Sequence, residues 1–281
     1  MNRIDLENLQ RQFQRIGSNV VMEILPEPER FSRRQPQVSY EQGFTLNVRE
    51  RKEQEVYALA VNDTAIEELN FAVVNLVTQR NHLLLLAKRN RTAKTNSIAK
   101  SKFLCGFDER HWFAAELKSD EVTDVWTAME ALKPEEAKQS QLAQKVRVQH
   151  RHRRHNSGYI RQGEWFFIPK PAYMPERNAV LFHNEPIRRG RGKAHWVEWL
   201  YRTGGEVVWV NGNQVLTDSE FKQRQRNSDV RLSNWRQMRR GMTVYVKGAI
   251  RHPDHATIVL PFWHSVQMNA EVISTNLAFL D

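Results

Sequence analysis

The apolar residues of this chain come in runs of strand length, broken by charged, glycine- or proline-containing turns, and this constrains it to a sheet-rich fold. The longest runs, such as 83–87, fall far short of the roughly 18 residues that a membrane-spanning helix needs. Several runs come in pairs around a tight polar turn, the pattern of a β-hairpin. Gly43–Arg49 and Glu55–Val61 flank Glu50-Arg51-Lys52-Glu53, and Lys102–Phe107 and His111–Glu116 flank Asp108-Glu109-Arg110. Glu206–Val210 and Gln214–Leu216 flank Asn211-Gly212, the two-residue turn that matches strand twist. Thr243–Ile250 and Ala256–Phe262 flank Arg251-His252-Pro253-Asp254-His255.

Helical spacing is confined to a few segments. Residues 4–16 place Ile4, Leu6, Leu9, Phe13 and Ile16 on one side of a short amphipathic helix, and 122–132 repeats the pattern before Pro134. Ala194–Tyr201 reads as a helix closed by Gly204-Gly205, and Ser219–Arg240 as a long basic helix. Ile66–Val77 fits helix or strand, His82–Lys88 is a buried-strand pattern, and Val266–Met268 and Val272–Ser274 read as edge strands. Pro26, Pro28 and Pro36 bracket a segment that cannot stay helical. The expected class is α+β. Residues 1–135 would be an antiparallel sheet with a few helices, acting as a scaffold or docking unit. Residues 136–158 would be a basic polar linker. Residues 159–281 would be a mostly β module, a small barrel or half-open sheet with one or two helices.

Charge points to a partner. The formal net charge is +10, and it is gathered rather than scattered. Lys145–Lys193 and Lys222–Arg240 are both strongly cationic and mostly arginine, whose planar fork suits phosphate contact. The candidate nucleic-acid contacts are Arg151, Arg153, Arg154, Arg188, Arg189, Arg191 and Lys193, with Arg236, Arg239 and Arg240 on the basic helix. His150, His152 and His155 lie along the same stretch. Trp165-Phe166-Phe167 and Trp196, Trp199 and Tyr201 follow the basic runs, and aromatics interleaved with cations are what single-strand binding uses; Trp165 is the first candidate for base stacking. The glycines of Arg188-Arg189-Gly190-Arg191-Gly192-Lys193 lack Walker spacing, and Lys88–Lys102 is a second cationic loop. No helix-turn-helix, RNP or KH signature separates RNA from DNA.

Chemistry is less legible. His252, Asp254 and His255 at one hairpin tip offer ligands for a divalent metal, with His264 as a further imidazole. Pro253-Asp254 has no Glu-x-Lys on the following strand, so a restriction-type nuclease site is incomplete; a His-Asn-His site and an intein junction at His155-Asn156 fail for want of their surrounding elements. Cys105, the one cysteine, lies in an apolar run near His111, and with no second thiol no internal disulfide can form. No signal-peptide, lipidation or amphipathic-anchor pattern is seen, so the expectation is cytoplasmic, with no membrane partner. The leading expectation is a nucleic-acid-binding accessory protein, binding RNA or DNA without its own catalysis and without a cofactor. The alternatives are a metal-dependent nuclease or phosphoesterase using the His/Asp cluster, and a subunit that docks an acidic protein.

Overall fold

The computed structural model describes residues 5–26, 43–90, 99–118, 121–189, 192–226 and 234–271. The proline segment at 27–42, the loop at 91–98, Arg191, the basic stretch at 227–233 and the expected strand at 272–274 lie outside them. The chain divides into two units: residues up to Glu135 with 269–271, and residues 136–268. No described helix is long and apolar enough to cross a membrane.

The first unit opens with α1 (Leu6–Arg15), capped by the Asp5 side chain, which accepts the Asn8 N–H at 2.9 Å. It then forms β1 (Val20–Leu25), β2 (Phe44–Arg51) and β3 (Gln54–Asn62), in spatial order β1-β3-β2. The β2–β3 hairpin is the expected one, and Lys52 and Glu53 turn it with positive φ. The expectation of a purely antiparallel sheet is corrected at β1, which runs parallel to β3. A second sheet follows as an antiparallel meander of β4 (Leu69–Val77), β5 (His82–Arg89), β6 (Ala99–Asp108) and β7 (His111–Leu117). The unbroken leucine run of β5 is explained by burial on both faces. Leu83 and Leu85 join the core formed with α1 and the first sheet, while Leu84 packs toward α2 (Val125–Ala131) on the other side. The capping box Asp124/Thr127 starts α2.

In the second unit, α3 (Glu135–Ala143) is followed by β8 (His155–Asn156), β9 (Tyr159–Gln162), β10 (Trp165–Pro169), β11 (Leu181–Ile187), β12 (His195–Asn211), β13 (Gln214–Thr217), α4 (Asp218–Arg226), β14 (Arg236–His252) and β15 (His255–Met268). One antiparallel sheet runs in the order β11-β12-β14-β15-β10-β9-β8, with β13 added on β12. β11 and β8 are its unjoined ends, so the described residues form an open sheet and not a barrel. Trp165 and Phe167 face one core with Val197, Leu200, Val246 and Ile250, whereas Phe166 and Ile168 face Ala137 of α3. Residues 136–158 are therefore not a tether. Ala137 and Gln141 are buried, and the Glu136 carboxylate accepts from Ser265 Oγ at 2.8 Å and Gln267 Nε2 at 2.7 Å.

Three expectations are overturned here. Ala194–Tyr201 is not a helix, and its residues from His195 onward begin strand β12. Arg236, Arg239 and Arg240 lie on strand β14, not on the basic helix, which covers Asp218–Arg226 among the described residues. Val266–Met268 is the end of β15, paired with β10, rather than an edge strand.

Candidate nucleic-acid face and histidine cluster

The outer face of the large sheet is divided in two. Its β9–β10 side is covered by α3, through Phe166 and Ile168. On the β11–β12–β14 side, Trp196 and Trp199 are 40% and 38% exposed. Their cross-strand partners on β14 are cations: Trp196 pairs with Arg251 and Trp199 with Lys247, and residues directly opposite share a face. Inward-facing Val197, Leu200, Val246 and Ile250 occupy the positions between them. The strand register shifts between Val197 and Trp199, where Glu198 alone faces Gly248 and Ala249 of β14, and both tryptophans come to the same exposed side. Glu198 is held there by β14. The Ala249 N–H donates to Glu198 Oε2 at 2.8 Å, and Gly248, at φ 87°, leaves the room that the Glu198 carboxylate fills. Farther along the same face, Tyr201 lies opposite Tyr245, and Tyr173 stacks on Tyr245 at 3.8 Å. Burial and its two tyrosine neighbours push the Tyr173 hydroxyl up to about 12.

After α3 the chain builds an open pocket of about 250 Å³, lined by Lys145, Arg147, His150, Arg153, His155 and Ser157 among others, with no carboxylate in its lining. Lys145 ends the α3 region at positive φ, its N–H bonding Leu142 O while the Val146 N–H reaches Gln141 O, a Schellman-type stop that projects the next residues outward. The pocket suits an oxyanion the size of a phosphate.

The expected arginine set is only partly gathered. Arg153 lines the pocket. Arg151 turns back to Val146 O at 3.3 Å, and Arg154 is half-buried. Arg188 is exposed and Arg189 half-buried just beyond β11. Lys193 is engaged by Asp254 at 2.7 Å, and Arg240 by Glu206 at 2.5 Å. Arg239 donates to Gly204 O at 3.1 Å, and Arg236 is exposed at the start of β14. Trp165 is fully buried, so its indole is a core side chain and the base-stacking expectation for it is withdrawn. Lys247 was missed because it is a single cation in an apolar strand, and Arg251 because it reads as part of the polar turn at 251–255. Only strand pairing puts them beside the tryptophans.

The hairpin-tip histidines acquire an unexpected partner. His252 and His255 meet His195, the first residue of β12, and one ligand atom from each lies within 4.8 Å of the others. The three rings stack, with centroids 4.1 Å apart for His195–His252 and 4.7 Å for His252–His255. His195 is 1% exposed, and neither of its ring nitrogens has a hydrogen-bond partner. Leaving a buried polar group unsatisfied costs about 1–3 kcal/mol. Burial, then the neighbouring His252 and His255, hold its pKa down to about 3. His252 is also lowered, chiefly by burial and then by His255. It accepts the Asp254 N–H at Nδ1, 3.1 Å away. Asp254 itself faces Lys193 through both carboxylate oxygens. His264 stands apart, its Nδ1 2.8 Å from Phe262 O. In the first unit Cys105 is buried and its thiol pushed up by desolvation, and His111 is turned to Glu55 at 2.7 Å, so the pair has no nucleophilic character.

No protein-family model, curated protein or solved structure matches this chain.

Proposed function

We propose that this is a nucleic-acid-binding accessory protein whose second unit holds single strands on the uncovered half of its large sheet. The observation that carries the reading is that each exposed tryptophan on that face has a cation opposite it, Trp196 with Arg251 and Trp199 with Lys247. Every base has a π-face, so indoles stack on any sequence, at about 1–3 kcal/mol per base, while the adjacent cations follow the phosphates. The acid-free pocket of Lys145, Arg147 and Arg153 supplies a further phosphate contact on the same unit. An acidic protein would use the cations but gains nothing specific from indoles set one beside each.

The test is anisotropy of labelled, mixed-sequence single-stranded RNA and DNA titrated with the full chain at graded salt. Trp196→Ala and Trp199→Ala should each weaken binding roughly five- to a hundredfold. Lys247→Ala and Arg251→Ala should each flatten the slope of log K against log salt by about 0.7, the single-strand value per phosphate contact. No binding at low salt, or binding indifferent to both tryptophans, refutes the proposal.

A further inference from the structure

We propose that His195, His252 and His255 form a three-imidazole site for a borderline divalent cation, with Zn²⁺ as the type case. Their ligand atoms already lie within 4.8 Å of one another. Tetrahedral Zn–N bonds of about 2.0–2.1 Å place nitrogens roughly 3.3 Å apart, so closure by about 1.5 Å suffices. Two of the three ligands sit on one hairpin tip between β14 and β15, and a single adjustment of that tip moves both.

An observation independent of the clustering points the same way. His195 is buried with both ring nitrogens unpartnered, whereas a buried imidazole kept for packing alone ordinarily has its N–H satisfied. His195 gives up no hydrogen bond to take an ion. His252 has backbone contacts with Asp254 and Lys193 and exchanges one of them.

The neighbouring hairpin comes close to two of the imidazoles. Gly163, at φ 57°, joins β9 to β10, and a Cβ there would stand 2.9 Å from His255 Nε2 and 3.5 Å from His195 Nε2. A side chain at 163 would press on His255 Nε2, so the position suits glycine. The donor set is three neutral imidazoles with no thiolate or directly placed carboxylate, which suits Zn²⁺, Co²⁺, Ni²⁺ or Cu²⁺ and disfavours Mg²⁺ and Ca²⁺. Asp254, held by Lys193, belongs outside the ligand shell, where its charge partly offsets that of the ion.

Tag-free, chelator-treated full chain is titrated with Zn²⁺ against a chromophoric competitor, and separately with Co²⁺ followed by its visible ligand-field bands. The expected result is one ion per chain with a tetrahedral Co²⁺ spectrum. His252→Ala and His255→Ala, both at half-exposed positions that leave the core intact, should each weaken uptake at least tenfold. Asp254→Asn should keep the stoichiometry and lose less than either. His195→Ala should abolish binding, and circular dichroism checks that it still folds; if it does not, the two tip variants decide. Absent stoichiometric uptake by the wild-type chain overturns the site, as does uptake unchanged in both tip variants, which would assign the ion to other histidines.

Discussion

Acid should destabilise the metal-free protein through His195 before any carboxylate is protonated. Its folded pKa, held down to about 3, lies below the unfolded value of 6.5, so the unfolded chain binds the proton that the native chain refuses. Stability is therefore complete above pH 6.5 and is lost as pH falls toward 3. A shift of one pKa unit corresponds to 1.36 kcal/mol, which gives a loss of about 2 kcal/mol between about pH 7 and about pH 5 from this ring alone. His252 and His264 are shifted in the same direction and add to the loss. Glu136 is lowered from 4.5 and acts only at more acidic pH, outside this window. The comparison variant is His195→Phe, which keeps an aromatic ring of similar size, removes the titration, and should change neutral-pH stability by less than about 1.5 kcal/mol. Urea unfolding in the presence of chelator, followed by tryptophan emission, measures both chains at each pH. The variant should retain about 2 kcal/mol more than wild type on acidification. Parallel losses in the two chains, or an NMR titration placing the His195 ring near 6.5, would refute the argument.

Further outcomes follow from other contacts. Arg153→Ala should lower the salt slope of single-strand binding by about 0.7 without changing any preference among sequences, measured by the same anisotropy titration. Gly163→Ala imposes φ 57° on a residue with a side chain and pushes into His255. It should cost about 1–2 kcal/mol in urea unfolding of metal-free protein and, on the site proposed above, weaken Zn²⁺ uptake. In the first unit Tyr57→Phe removes the hydroxyl that reaches Phe113 O at 2.9 Å and Gly106 O at 3.2 Å in the core. The expected loss is about 1–2 kcal/mol by thermal or urea unfolding. Asp124→Ala, which opens the capping box of α2, should cost about 1 kcal/mol by the same measurement.

Local chemistry was enough to read the hairpins at 50–53, 108–110, 211–212 and 251–255, α1, α2 and the buried strand β5, because turn residues and apolar spacing act over a few neighbours. It failed at β12, where Trp196, Val197, Trp199 and Leu200 have helical spacing. At Glu198 one residue of β12 faces two of β14, the alternation of exposed and buried side chains slips, and a strand with such a shift imitates a period of 3.6. The spacing of Arg236, Arg239 and Arg240 misled in the same way, since exposed cations on a strand need no alternation at all. The sequence alone thus determined that the chain is sheet-rich, basic and turned at those points. Only the tertiary structure decided what lies opposite what. Sheet register brings Lys247 and Arg251 beside two tryptophans some fifty residues away, and folds His195 under the hairpin that carries His252 and His255. Pairing across that separation is set by packing of whole strands against a shared core, and no local pattern records it.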